Sequence, residues 1–246
     1  MGGVLGRTGR PCSVEASRGP SPHGVEAAQP QVRRARPAGG AEPAYRGRMS
    51  RYLMIVAVAV PPLFTAVLGL THPAVLTVED AGHWQMMHTV LLPVFPLLAL
   101  GPWLVARTHD RVVGVVVGVL AYVYACFYTS LDVLAGIAGG AIKDAEAGGL
   151  GIVFPVAGDL GAIGSYAYIG ATALAVGVAS RAGVVRALPG AVLVLVGSVM
   201  FWQEHVYRPW GVLSMVLLAA GWTWLVVATA PRARSASTPT PRSAGR

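Results

Sequence analysis

The feature that most constrains the fold is a series of apolar runs, each about as long as a bilayer is thick. A helix needs about 20 predominantly apolar residues to cross the hydrocarbon core. Six such runs follow one another along the chain, at residues 52–70, 83–106, 112–136, 160–180, 187–205 and 211–230. We therefore predict an all-α integral membrane protein, a six-transmembrane-helix bundle whose main partner is the lipid bilayer.

Composition supports the same class and argues against others. Hydrophobic residues make up 54% of the chain and charged residues only 12%, whereas about 25% of the residues in a soluble domain are charged. The net charge of +8 resides in the tails and short loops, without a basic face interleaved with aromatic residues. This distribution predicts no nucleic-acid binding, and it indicates no soluble partner.

The two ends of the chain have a different character. Residues 1–50 are rich in Gly, Pro, Ala and Arg and lack an apolar period, which is typical of disorder. Two interpretations stay open: a disordered tail, or a true start at Met49, directly before the first apolar run. Residues 231–246, rich in Ser, Thr, Pro and Arg, are predicted to form a second disordered tail.

The arginines predict the orientation of the bundle, because cytoplasmic loops carry the excess of basic residues. The loops on the opposite side carry only Lys143 and Arg208. With a single lysine and an excess of Ala, Gly and Val, the composition indicates a bacterial protein. We predict the bacterial inner membrane and two cytoplasmic termini. The arginines on the predicted cytoplasmic side are Arg48, Arg51, Arg107, Arg111, Arg181, Arg186, Arg232 and Arg234.

Small residues recur at spacings that let helices approach closely. Gly114 and Gly118 form one such pair, and Gly136 and Gly140 form another. These faces favour helix packing, and through it a homo-oligomer.

Polar residues concentrate in one layer at the predicted outer edge of the bundle. At about 1.5 Å of rise per residue, they lie roughly 28–33 Å from the cytoplasmic arginines of their own helices. Histidine and carboxylate are the usual ligands of zinc, so the layer could form an outward-facing metal or haem site. Alternatively, these residues cap helices at the water interface. The layer contains His88, Asp132, Asp159 and His205, with Glu204, Asp80, His83 and His72 in it or just outside.

Helical phase ranks these candidates. Trp84 and His88 are four residues apart and share a helix face, whereas His83 points roughly 140° away from His88. Because Glu204 and His205 are adjacent, only one of them can face the bundle. We predict His88, Asp132 and His205 as metal ligands, with Glu204 and Asp159 supporting them and His83 as a weaker candidate. Met86 and Met87, beside His88, would suit copper, a softer metal.

The function itself is less constrained than the fold. The chain lacks a Gly-x-Ser-x-Gly elbow, a P-loop and a His-Glu-x-x-His motif, which favours a non-enzymatic protein that scaffolds, assembles or senses. One alternative is a protein with an outward-facing metal or haem site. Another is a small-solute or proton-coupled transporter, favoured by Pro61 and Pro62 in the first run. The sequence specifies no cofactor beyond a divalent metal or haem.

Overall fold

The computed structural model describes residues 42–229, with side chains from residue 50 onward. Within this range the chain is helical and contains no strand, which confirms the predicted all-α class for the described part. Of the predicted tails, residues 1–41 and 231–246 lie outside it, while residues 42–50 of the N-terminal tail form the start of the first helix. The elements are α1 (Glu42–Gly69), α2 (Ala81–Leu91), a 3₁₀ segment (Phe95–Ala99), α3 (Leu100–His109), α4 (Arg111–Leu131), a π segment (Asp132–Ala138), α5 (Gly139–Asp144), α6 (Leu150–Ser180), α7 (Val184–Glu204) and α8 (Trp210–Ala228).

Five stretches of the described chain are long and apolar enough to cross a membrane. A sixth is present if α2 and the helical residues 95–109 count as one span, bent by 42°. The fold is therefore compatible with a multi-pass membrane protein. The five stretches are Ser50–Gly69, Arg111–Asp144, Leu150–Ser180, Val184–Glu204 and Trp210–Ala228.

The second predicted helix is broken in the structure. Residues 83–106 were expected to form one helix, but α2 ends at Leu91 and α3 begins at Leu100, with a 3₁₀ segment between them. Pro93 and Pro96 lie in the break. Proline has no N–H to donate and its ring clashes with the preceding turn, so two prolines three residues apart interrupt the helix.

The helices on either side of the predicted outer loop are longer than expected. Helical structure continues from Arg111 to Asp144, and α6 begins at Leu150, ten residues before the predicted start at residue 160. Only residues 145–149 separate the two helices. The first turns of α6 are apolar and pack back on the chain, with Phe154 against Gly139, so the glycines and proline there do not open a long loop.

Close packing joins the helices into one bundle. Helix α6 packs against α4 and α7, while α8 packs between α1 and α7. Buried aromatic side chains fill the centre, and their polar atoms are paired: the Tyr124 hydroxyl donates to the Phe95 carbonyl at 3.1 Å, and the Trp222 indole N–H donates to the Tyr168 hydroxyl at 3.3 Å.

The predicted glycine pairs serve packing within the chain. Gly114 lies against Arg107, and Gly118 lies near Trp103, so α4 packs closely on α3. Gly136 and Gly140 lie against α2 in the same way.

Candidate metal centre

Three histidines from separate parts of the chain meet at one end of the bundle. His72 lies in the loop between α1 and α2, His88 in α2, and His205 directly after α7. One ring nitrogen of each lies within 4.8 Å of those of the other two. The ring centroid of His72 is 5.2 Å from that of His88 and 6.0 Å from that of His205, and the last two are 6.2 Å apart. We call these residues the histidine cluster.

His88 is fixed by its own helix and by the π segment. Its Nδ1 lies 2.7 Å from the Trp84 carbonyl, one turn earlier in α2, and the Trp84 indole N–H donates to the Ala135 carbonyl at 3.1 Å. A Cβ at Gly136 would lie 2.5 Å from the His88 Cβ, which is too close for any side chain. Glycine at this position therefore lets the π segment approach the His88 side chain and hold the ring in place.

His72 is held in the loop that follows α1. Its ring is 1% exposed, and its Nδ1 lies 2.7 Å from the Pro73 carbonyl. The ring makes edge-to-face contacts with Trp84 and Tyr207, with centroids 4.7 and 4.5 Å away. Its Nε2 is buried and has no hydrogen-bond partner among the described residues. Buried polar atoms are normally paired, so this nitrogen needs an explanation.

His205 reaches the cluster from the end of α7. Its φ is +48°, a value that is uncommon for residues other than glycine. Such strained conformations cluster at functional sites. Its Nδ1 is hydrogen-bonded to the Tyr128 hydroxyl of α4. A strained backbone and a side-chain partner together orient this ring.

The three rings share a pattern that is typical of metal ligands. Metal-binding histidines usually donate their second ring N–H to a carbonyl or another acceptor, which fixes the ring and its tautomer. Here each Nδ1 is engaged, by Pro73, Trp84 or Tyr128, so Nε2 is the nitrogen that each ring has available for a metal ion. If a metal ion binds Nε2 of His205, Nδ1–H donates to the phenol oxygen.

Burial also keeps the two loop histidines in the form that binds metal. Burial lowers the pKa of His72 from 6.5 to about 4, the Pro73 hydrogen bond opposing this. Burial likewise holds the pKa of His205 well below its usual range, with a smaller contribution from neighbouring His88. Both rings are therefore neutral near pH 7, and neutral imidazole is the form that binds metal.

Asp132 is not one of the cluster residues, but it lies on the same helical stretch as two residues that contact them. It begins the π segment, four residues after Tyr128 and four before Gly136, so it lies between one residue that contacts His205 and another that contacts His88. The side chain is 0% exposed, and neither carboxylate oxygen has a hydrogen-bond partner among the described residues. An unpaired buried carboxylate is costly unless a cation or a proton neutralises it.

The other predicted residues lie away from the cluster. Asp159 is exposed, and His83 and Glu204 are half-buried. The His83 Nε2 lies 3.1 Å from the Thr71 carbonyl. Neither methionine joins the cluster, since Met86 is 57% exposed and Met87 packs into the apolar core.

His72 is the residue that sequence reasoning left out of the ligand set. The available signal was its position directly after the first apolar run, at the level of the predicted polar layer.

A cavity of about 280 Å³ adjoins the cluster on one side. Two of the three histidines line it, and helix α6 supplies a wall of small residues. Its exposed rim lies between Gly158 of α6 and Trp202 of α7. The lining residues are Trp84, His88, Tyr128, Leu131, Ala135, Phe154, Gly158, Gly161, Ala162, Ser165, Trp202, His205 and Tyr207.

Comparison with known proteins gives no relative from which a function could be transferred. No family model, no curated protein and no solved structure matches the chain. The geometry of the histidine cluster is therefore the basis for assigning a function.

Proposed function

We propose that this chain is a six-span protein of the bacterial inner membrane that binds a transition-metal ion at the histidine cluster. The five apolar helices and the bent pair supply the six spans. Arg107, Arg111, Arg181 and Arg186 lie in or beside the loops at the end of the bundle opposite the cluster, whereas Arg208 and Lys143 are the only described Arg or Lys residues at the cluster end. This excess favours cytoplasmic termini and a site that faces outward.

The observation that carries this proposal is the convergence of three imidazoles whose Nδ1 atoms are all engaged elsewhere. One nitrogen of each ring lies within 4.8 Å of the others. Zn–N bonds of about 2.0–2.1 Å bring tetrahedral ligands to about 3.4 Å from one another, so modest inward movement of the rings would complete the site.

The donors favour an ion over haem. Imidazole is a ligand for zinc, copper, iron and nickel, and no thioether lies in the cluster to select soft Cu(I). Haem would need His88 and His205 on opposite faces of a macrocycle, but the His72 ring contacts both of them. An imidazole-only set of three fits Zn²⁺ or Cu²⁺.

Asp132 completes the charge balance of the proposed site. Three neutral imidazoles leave the charge of a divalent ion uncompensated, and an isolated charge in a medium of low dielectric constant is costly. The unpaired Asp132 carboxylate, one helical turn from both Tyr128 and Gly136, would offset part of that charge. Metal and carboxylate thus each reduce the cost of burying the other.

Three protein ligands leave a coordination position for another molecule. Closed structural zinc sites have four protein ligands, whereas catalytic sites have three and keep one position open. With three histidines, the proposed site would keep one position open.

Metal analysis of the purified full chain tests the proposal. We expect about one Zn or Cu per chain by mass spectrometry, and no haem absorption band. His88→Ala should weaken metal binding by more than about 100-fold, since losing even a supporting residue of a metal ligand costs 10–100-fold. His83→Ala removes a half-buried histidine of the same helix that lies outside the cluster and should leave binding unchanged.

Two results would contradict this assignment. A wild-type protein without stoichiometric metal would favour the scaffold interpretation instead. Equal losses in His88→Ala and His83→Ala would show that the metal binds outside the histidine cluster.

A further inference from the structure

The cavity beside the cluster lies where a fourth ligand of the metal would have to be. His88 and His205 line the cavity, whereas His72 lies outside its lining. An ion held by all three rings would therefore have His72 behind it and the cavity in front. This inference rests on the proposed metal site and concerns what binds to it.

The lining defines the chemical class of the ligand. Trp84, Phe154 and Trp202 provide aromatic surface, and Ser165 and Tyr207 provide hydroxyl groups. Among the described residues that line the cavity there is no acid, lysine or arginine. A charged ligand would lose its hydration without gaining an ionic partner, so the cavity favours a neutral molecule with a flat apolar body.

The volume limits that molecule to about one substituted ring. An apolar cavity of about 150 Å³ accepts benzene, and this one is about 280 Å³. Small residues of α6 leave the space open. Leu131 is in contact with Gly161, where a Cβ would overlap its side chain, and Ala162 adds only a methyl group to the wall.

The entrance favours a lipophilic molecule. The exposed rim residues Gly158 and Trp202 belong to α6 and α7, and both helices carry predicted membrane spans. In the proposed orientation the opening between them faces the outer leaflet. A ligand would enter from the lipid phase without crossing the polar end of the bundle.

We propose that this cavity binds a neutral lipophilic phenol whose oxygen occupies the fourth coordination position of the metal. The ring packs between the aromatic walls, for which offset or edge contacts are favourable. Ser165 and Tyr207 are the hydroxyls available to hydrogen-bond the phenol.

A cobalt-substituted full chain in detergent provides the test, with phenol as the probe. The visible absorption of Co²⁺ depends on its ligands, so phenol should change the spectrum saturably. Toluene, which lacks the oxygen, and benzoate, which is charged, should not. Ala162→Phe fills the cavity and should weaken the phenol response at least 10-fold while one cobalt stays bound.

Matched variants separate this inference from the metal site itself. Gly177→Phe places the same ring on α6 at a position where an added Cβ meets nothing within 4 Å, and it should retain both cobalt and the phenol response. Ser165→Ala, a small change, should weaken the response several-fold even if Ala162→Phe fails to fold.

The outcomes distinguish failure of the phenol site from failure of the metal site. Cobalt bound in stoichiometric amount but unaffected by phenol would overturn the phenol site and leave the metal site standing. A response that Ser165→Ala and Ala162→Phe leave unchanged would also overturn the phenol site. A chain that binds no cobalt would refute the metal site and the phenol site together.

Discussion

The two ends of the helical bundle differ in whether their buried polar side chains have hydrogen-bond partners. At the arginine end, the loops around residues 107–111 and 181–186, polar groups have partners. Asp110 pairs with Arg181 at 3.2 Å, and the Nδ1 and Nε2 atoms of His109 lie 2.9 and 3.2 Å from the carbonyls of Val105 and Thr229.

At the opposite end, polar atoms are buried without partners. The three buried side-chain atoms that lack a hydrogen bond among the described residues are Nε2 of His72 and both carboxylate oxygens of Asp132. His109 and His72 show this contrast directly. Both ring nitrogens of His109 contact carbonyls, whereas the buried Nε2 of His72 has no hydrogen-bond partner among the described residues.

This difference separates structural polar residues from candidate ligands. A fold normally pairs its buried polar atoms, and the arginine end shows that this chain can do so. Unpaired atoms confined to the histidine end therefore indicate a ligand that pairs them when it binds.

The largest effect after loss of a ligand should come from Gly136→Ala. The added Cβ would lie 2.5 Å from the His88 Cβ, and turning the His88 ring does not move that Cβ, so a change of rotamer cannot relieve the contact. Overpacking of this kind costs about 1–3 kcal/mol. We expect a lower thermal midpoint and weaker metal binding, measured on the purified protein.

Gly177→Ala is the matched control for that change. A Cβ there meets nothing within 4 Å, and Ala in a helix is favoured over Gly by about 1 kcal/mol. The control should be as stable as the wild type or slightly more so. If Gly136→Ala behaves like Gly177→Ala, the π segment does not fix His88.

A smaller and more specific effect is expected from Asp132→Asn. The change keeps the shape and removes the charge, so we expect the metal affinity to fall about 10–100-fold, the range for residues that support metal ligands. The metal-free protein should be no less stable, because an unpaired buried carboxylate is lost. Competition with a chelator measures the affinity, and thermal unfolding measures the stability.

Asp159→Asn is the control for Asp132→Asn. Both acids belong to the predicted polar layer, but Asp159 is exposed on α6. Its replacement should change neither the metal affinity nor the stability. A similar loss of affinity in both variants would mean that general surface charge, and not the buried carboxylate, supports the ion.

The sequence was sufficient for the helical class and for two of the three histidines. Hydropathy reveals long apolar helices because each must satisfy its own backbone. Counting helical rise from Arg107 and from Arg186 then places His88 and His205 at one level. The break of the second span was harder to predict, because prolines are tolerated in membrane helices when neighbours re-pair the backbone.

The rest of the site depends on irregular backbone. His72 lies in a loop, where no helical period applies, and its approach to His88 follows from tertiary packing alone. Asp132 begins a π segment, whose wider turn changes the direction of the residues that follow. A regular α-helix, assumed from the sequence, therefore does not predict whether the Asp132 carboxylate joins the histidines. In the structure it is not one of the cluster residues.

The smallest expected effect is at the arginine end, where Asp110 caps α4. One carboxylate oxygen accepts hydrogen bonds from the Val112 and Val113 N–H groups at 2.9 and 3.1 Å. The bond from Val113, followed by that from Val112 and the nearby Arg181, holds the pKa of Asp110 below its usual 3.8. Asp110→Ala should lower the thermal midpoint near pH 7 by about 2–4 °C and leave metal binding unchanged.

The pH dependence of that effect follows from the direction of the pKa shift. Because the pKa of Asp110 is lower in the folded chain, its contribution is complete above about pH 4 and is lost as the pH falls through the folded value. The midpoints of wild type and Asp110→Ala should therefore converge in acid. Asp110→Asn, which keeps a good helix cap, should lose less at neutral pH. A change in metal affinity in either variant would contradict the independence of the two ends, since Asp110 would then be coupled to a site at the far end of the bundle.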